Sequence, residues 1–195
     1  MPKRDDAHMN AQRERILRAT LECISEVGIE RTSIAEIRKR SQLSAGALYT
    51  HFASKEEIVA AALRFGGSDD DYQLPGDWPA FTAWVANVQG SGDFDFATVA
   101  RTQLQVIASS VRPGPLHDTL KPMIERTLDG IVRHLEEMER NGRIKLRLSP
   151  VQTALAISAL KDGMGWIALA RDRPLREVER DLTAALDCLV DHGTG

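Results

Sequence analysis

Three helix starts crowd into residues 33–57, and they constrain this chain more than any other feature of it. Ser33-Ile-Ala-Glu36 is a capping box. Its serine is placed to accept from the third residue's N–H while Glu36 reaches back. Ser44 is placed to cap a second helix, and Ser54-Lys-Glu-Glu57 is another capping box that opens a third. This spacing predicts helices over 34–40, 45–51 and 55–65, joined by tight turns. Helices this short are marginal alone in water, so they must pack on a longer one. A helix over 10–27 supplies it, with Ile16, Leu17, Thr20, Leu21, Ile24 and Val27 on one face. Gly28 reads as its left-handed C-cap, with Ile29 as the hydrophobic contact behind it.

The remainder is also helical in period. Gly66-Gly-Ser-Asp-Asp-Asp and Pro75-Gly76 are turn chemistry. Helices are expected over 78–88, 94–111, 115–140, 150–171 and 174–191. Pro113-Gly114-Pro115 separates the second of these from the third, and Asn141-Gly142 ends the third. Arg143-Ile-Lys-Leu-Arg-Leu alternates like a strand but has no visible partner, so it is read as an extended connector. The fold class is therefore all-α with about nine helices. The expected division is a helix-turn-helix domain over 1–54 and a helical domain over 55–195.

Bulk properties narrow the function little. The chain has 195 residues, 43% of them apolar, and a net charge of −3. Any basic surface must therefore be local. Residues 1–64 hold 11 Lys and Arg against 9 Asp and Glu, a slight positive excess. The two cysteines, Cys23 and Cys188, have no metal-ligand spacing and sit in apolar helical patterns. They read as buried thiols in a reducing compartment. With no apolar leader and no long apolar run, a cytoplasmic location and no membrane contact are expected. Metal-ligand clusters, phosphate loops and nucleophile motifs are not visible, so neither an enzyme nor a cofactor is expected. His117-Asp118 reads as helix-start polarity, and His134 as part of an exposed, Glu-rich face.

The helix over 45–51 has the shape that a DNA groove admits. Its first turn is Ala-Gly-Ala, small enough for the backbone to approach base edges in a groove about 12 Å wide. Leu48 and Phe52 lie four apart and point inward, while Tyr49 and Thr50 point outward. Two stretches, Gly28-Ile-Glu-Arg-Thr-Ser-Ile-Ala-Glu-Ile and Leu43-Ser-Ala-Gly-Ala-Leu-Tyr-Thr-His-Phe-Ala-Ser-Lys-Glu-Glu-Ile, resemble the TetR family of transcriptional regulators. The resemblance implies that Thr32 or Ser33 binds a phosphate, as do Tyr49, His51 and Lys55. It implies that Ser44, Ala45, Gly46, Ala47 and Thr50 face the bases. Lys3, Arg4 and Arg13 would add contacts from a flexible arm. Two departures stand out. Ser41-Gln42 occupies the turn where a small residue and Gly are usual, and Arg38 replaces a small apolar residue.

The helix over 150–171 is apolar nearly all round, so it must be covered on more than one side. A second copy of the chain is the expected cover, with Gly163 and Gly165 permitting close approach. The resemblance implies a four-helix dimer bundle from the last two helices. The interface is expected at Leu160, Gly163, Met164, Ile167, Leu182, Leu186 and Leu189. It also implies an effector cavity in the middle helices. Trp78, Phe81, Trp84, Leu104, Ile107, Met123 and Thr127 are the candidate lining, suited to an apolar or aromatic small molecule. Gln103, Gln105 and Arg101 are candidate polar contacts. The expectation is a homodimeric regulator bound to a pseudo-palindromic duplex operator, a repressor released by its effector through the helix over 55–65. Rival readings are an activator or ligand-independent regulator of this fold, and a helical enzyme or interaction module whose motif no longer binds DNA.

Overall fold

The structure, a computed structural model, describes residues 3–67, 73–87 and 96–191. Among these residues nine helices form: α1 (Lys3–Val27), α2 (Ile34–Ser41), α3 (Ala45–His51), α4 (Lys55–Gly67), α5 (Trp78–Ala86), α6 (Phe96–Ser110), α7 (Pro115–Arg140), α8 (Pro150–Ala170) and α9 (Leu175–Asp187). Residues 68–72 of the expected loop, residue 88 of the helix over 78–88 and residues 94–95 of the helix over 94–111 lie outside the described residues. No described helix is long and apolar enough to cross a membrane.

The punctuation read from sequence recurs in the backbone. Gly28 takes φ +84° at the end of α1, and Ile29 behind it is fully buried. The Ser33, Ser44 and Ser54 hydroxyls accept from the N–H groups of Glu36, Ala47 and Glu57 at 3.1–3.2 Å. Glu57 reaches back one residue further than expected, to the Ala53 N–H at 2.6 Å. Gln42 sits at φ 54°, the left-handed conformation that its place in the turn demands. A non-glycine residue held there costs about 1 kcal/mol.

Two compact units form. The first contains residues 1–69 and 101–121, the second residues 70–100 and 122–195. Within the first unit α4 packs on α1. In the first unit Ile16, Leu17, Ile24, Ile37, Leu48, Phe52, Ile58 and Val59 form a closed core. The second unit is built on α5 against α9 and α8 against α9. Its core holds Trp78, Phe81, Val85, Leu135, Met138, Ile157, Leu182 and Leu186.

Several expectations are corrected here. Residues 143–148 are not an unpaired connector. β1 (Lys145–Leu146) pairs antiparallel with β2 (Val190–Asp191), and α9 accordingly stops at Asp187. Cys23 is buried, but Cys188 is exposed, since Val178, Leu182 and Leu186 already fill the inward stripe of α9. Leu182 and Leu186, expected at the interface, are buried in the protomer's own core. Leu160, Met164 and Leu189 pack half-buried against the same core. The outward apolar surface of α8 is instead Val151, Leu155, Trp166 and Ile167, with open space beside Gly163 and Gly165. Trp78 and Phe81 are core residues, with the Trp78 indole N–H already donating to Asp187 at 2.9 Å. His134 is half-buried rather than exposed: it bonds the Pro75 carbonyl and lies 5.3 Å from the Phe81 ring.

Candidate nucleic-acid interface

The reading head is a two-turn helix held by its inner face. Leu48 is 0% exposed and Phe52 is 3% exposed, so both knobs of α3 are sunk in the core. Everything else on α3 is left outward or at its edge. Tyr49 is 53% exposed; Ser44, Gly46 and Thr50 are exposed; Ala45, Ala47, His51 and Lys55 are half-exposed. A Cβ built on Gly46 meets only the Ser44 Oγ, at 3.8 Å, so the glycine leaves open space on this face.

Hydroxyls on this face do double duty. Ser33 and Ser44 each accept a backbone N–H as caps, which leaves each O–H proton to donate outward. The Thr50 hydroxyl donates to the Gly46 carbonyl at 2.9 Å, so it meets a ligand as an acceptor beside a methyl group. Ser33 is half-exposed at the start of α2, where free N–H groups and the helix dipole favour an anion.

Thr32 does not belong to this set. It is 1% exposed, its hydroxyl donates to the Gly28 carbonyl at 2.8 Å, and its N–H also bonds that turn. The side chain closes the α1–α2 corner instead of facing outward. Arg13 stands on helical backbone, not on an arm, and its guanidinium lies 5.3 Å from the Phe52 ring centre. Arg38 and Lys39 are exposed on α2.

Side chains that the sequence did not single out hold the head in place. Arg15 on α1 donates to the Ser41 carbonyl at 2.6 Å, closing the end of α2. Arg40 forks onto the Glu26 carboxylate at 3.0 and 2.5 Å, tying α2 to α1. That hydrogen bond and the guanidinium charge hold Glu26 below the usual carboxylate range, and the hydrogen bond to Glu26 pushes Arg40 above its own. Burial pushes the Cys23 thiol up, so it is a poor nucleophile. Gln105 packs its side chain against Gly28, and Arg112 pairs with Glu30 at 2.9 Å. The 101–121 segment thus braces the α1–α2 corner. Gln12 meets His51 at 3.4 Å and His8 at 2.9 Å. The sequence signal for this last group is the i,i+4 spacing of His8 and Gln12, hidden when residues before 10 are read as an arm.

The candidate effector residues are divided between the two units. Leu104 and Ile107 belong to the first unit; Trp84, Met123 and Thr127 belong to the second. Trp84 lines an open cleft of about 430 Å³ with Ala83, Ala86, Asn87, Glu179 and Thr183, and the Lys161 ammonium lies 5.8 Å from its ring.

Fold and head define a class: an all-helical protein carrying an N-terminal helix-turn-helix. The comparisons name the family. The family described as "Bacterial regulatory proteins, tetR family" matches residues 16–62, the span from α1 into α4. The HTH-type transcriptional repressor Rv1474c of Mycobacterium tuberculosis is 24% identical, across 80% of this chain and 98% of its own. The A-factor receptor protein of Streptomyces griseus is 28% identical across 80% of this chain, which spans about half (54%) of that protein. The crystal structure of a TetR-family regulator from Rhodococcus shares the fold at TM-score 0.78 and 20% identity, covering 92% of this chain and 98% of that one. Residues 16–62 thus match the TetR family's model, and over most of its length the chain is similar to the regulators just named.

Proposed function

We propose that this protein is a homodimeric repressor that reads a pseudo-palindromic duplex operator with α3 and leaves it on binding a small molecule. One observation carries the DNA reading: α3 buries Leu48 and Phe52 and turns a small, unobstructed surface outward. Ser44, Ala45, Gly46, Ala47 and Thr50 face the bases. Ser33, Tyr49, His51 and Lys55 contact phosphates. Phosphates fix register, while base edges carry the sequence information. With few hydrogen-bonding groups on α3, specificity leans on close backbone approach, thymine methyl contacts and DNA shape.

Selection of bound duplexes from random sequence tests this, with an inverted repeat expected. Tyr49→Phe and Lys55→Ala each weaken binding across all sequences. Lys55→Ala also reduces the slope of log affinity against log salt by about one phosphate contact. Unchanged affinity and slope in both variants would place the DNA face elsewhere.

Exposed Val151, Leu155 and Trp166 share one side of α8 and support the dimer, with Gly163 next to Trp166. Such a row on one helix suits a two-fold interface in which the same patch meets itself. Trp166→Glu, exposed by 51% in the protomer, is expected to shift a sedimenting dimer to monomer without unfolding it. A wild-type monomer at micromolar concentration would remove the interface.

Effector response is supported by the relative named as a receptor and by the one named as a repressor. Trp84, Met123 and Thr127 remain as candidate contacts. An effector releases the operator only by its differential affinity for the two conformations, and α4 is the element proposed to carry the change. The proposed place of action is the cytoplasm. A reporter with and without the protein separates repression from activation.

A further inference from the structure

The Gln12 side chain bridges two imidazoles. Its Nε2 lies 2.9 Å from His8 Nε2, and its Oε1 lies 3.4 Å from His51 Nε2. An amide has one donor end and one acceptor end. Facing the amide oxygen, the His51 Nε2 must carry a proton, since two acceptors repel. Facing the amide NH2, the His8 Nε2 must be bare. Neutral His51 held this way keeps its lone pair on Nδ1. A lone pair cannot donate to a phosphate oxygen. Only the imidazolium, with N–H on both nitrogens, keeps Gln12 and donates from Nδ1 as well.

We infer that Gln12 is a positioning residue of the DNA face: by holding His51 in its Nε2–H form, it makes the His51–phosphate contact conditional on uptake of one proton. The inference rests on the reading of His51 as a phosphate contact. The step is simple: a solvent proton binds Nδ1, and the new N–H donates to the phosphate, with no covalent change elsewhere. The charged groups on the elements around His51 set its direction. On α1 they are His8 and Arg13, the latter over the neighbouring Phe52 ring. On α4 they are Lys55, Glu56 and Glu57, the last engaged at the Ala53 N–H. On α2, Arg38 and Lys39 are exposed, and Arg40 is paired with Glu26. A phosphate beside Nδ1 favours the imidazolium, so the proton arrives with the DNA.

The test is operator affinity of the full chain from about pH 5.5 to 8, the range in which imidazoles titrate, at fixed ionic strength, using a duplex obtained by selection. Affinity is expected to fall as pH rises, with a limiting slope of about one proton per subunit, two per dimer, or about a hundredfold per pH unit. His51→Asn places an amide N–H where Nδ1–H would stand and flattens the profile. Gln12→Ala frees neutral His51 to take the other tautomer; it also flattens the profile, with affinity at pH 8 kept. A flat wild-type profile means the amide has the opposite sense and overturns the inference. So does a slope that survives both His51→Asn and Gln12→Ala. If no selected duplex is bound at any pH, the DNA-face reading fails, and this inference fails with it.

Discussion

Leu48→Ala is expected to lower the stability of the protein by about 2–5 kcal/mol, the usual cost of emptying a fully buried leucine site. The side chain is 0% exposed, and α3 is only seven residues long. A two-turn helix gains little from its own hydrogen bonds, so its position depends on what it buries. Leu48 and Phe52 are its inward contacts, and Arg13 covers the Phe52 ring from outside. The cavity left by the leucine would loosen the very element proposed to read DNA. Operator affinity should therefore fall although no outward atom has changed. Urea unfolding followed by circular dichroism checks the first effect, and duplex titration the second. A loss below about 1 kcal/mol would mean that α3 is held by something other than this contact.

Gly46→Ala should move stability and binding in opposite directions. Alanine favours a helix over glycine by roughly 0.5–1 kcal/mol, and no backbone strain stands in the way. Gly46 has no left-handed φ, and the added methyl would meet only the Ser44 Oγ at 3.8 Å, an ordinary contact. The folded protein should thus be as stable or more so. On the DNA side the same methyl holds α3 away from the base edges. The expected loss is about 1–3 kcal/mol, the scale of one spoiled base contact, or roughly tenfold to hundredfold in affinity. Thermal unfolding and operator titration on one preparation read both. If Gly46→Ala bound the operator as tightly as the parent, close backbone approach at α3 would not be the source of specificity.

The local punctuation of the head was legible because capping is a local interaction. Ser33, Ser44 and Ser54 each need a backbone N–H three residues on, and the sequence displays that spacing directly. The left-handed turns at Gly28 and Gln42 follow from the same short-range geometry. Side-chain allocation was less legible. Threonine at 32 and serine at 33 look equivalent beside a helix start, yet Thr32 turns its hydroxyl back to Gly28 and Ser33 faces outward. The Trp78 indole N–H has no visible partner in sequence, yet Asp187, 109 residues away, accepts it. Pairing of Lys145–Leu146 with Val190–Asp191 was hidden for the same reason, since two residues per strand leave no period to detect.

By itself the sequence determined where helices begin and end, and that Leu48 and Phe52 share one side of α3 while Tyr49 and Thr50 share another. Those are consequences of hydrogen-bond reach and of 3.6 residues per turn. Tertiary structure decided which neighbour covers each apolar stripe. It sent Leu182 and Leu186 into the protomer, left Trp166 and Leu155 outside it, and set Gln12 between two imidazoles. Periodicity gives a helix a buried side without naming what buries it. That choice is made by contacts between residues far apart in the chain.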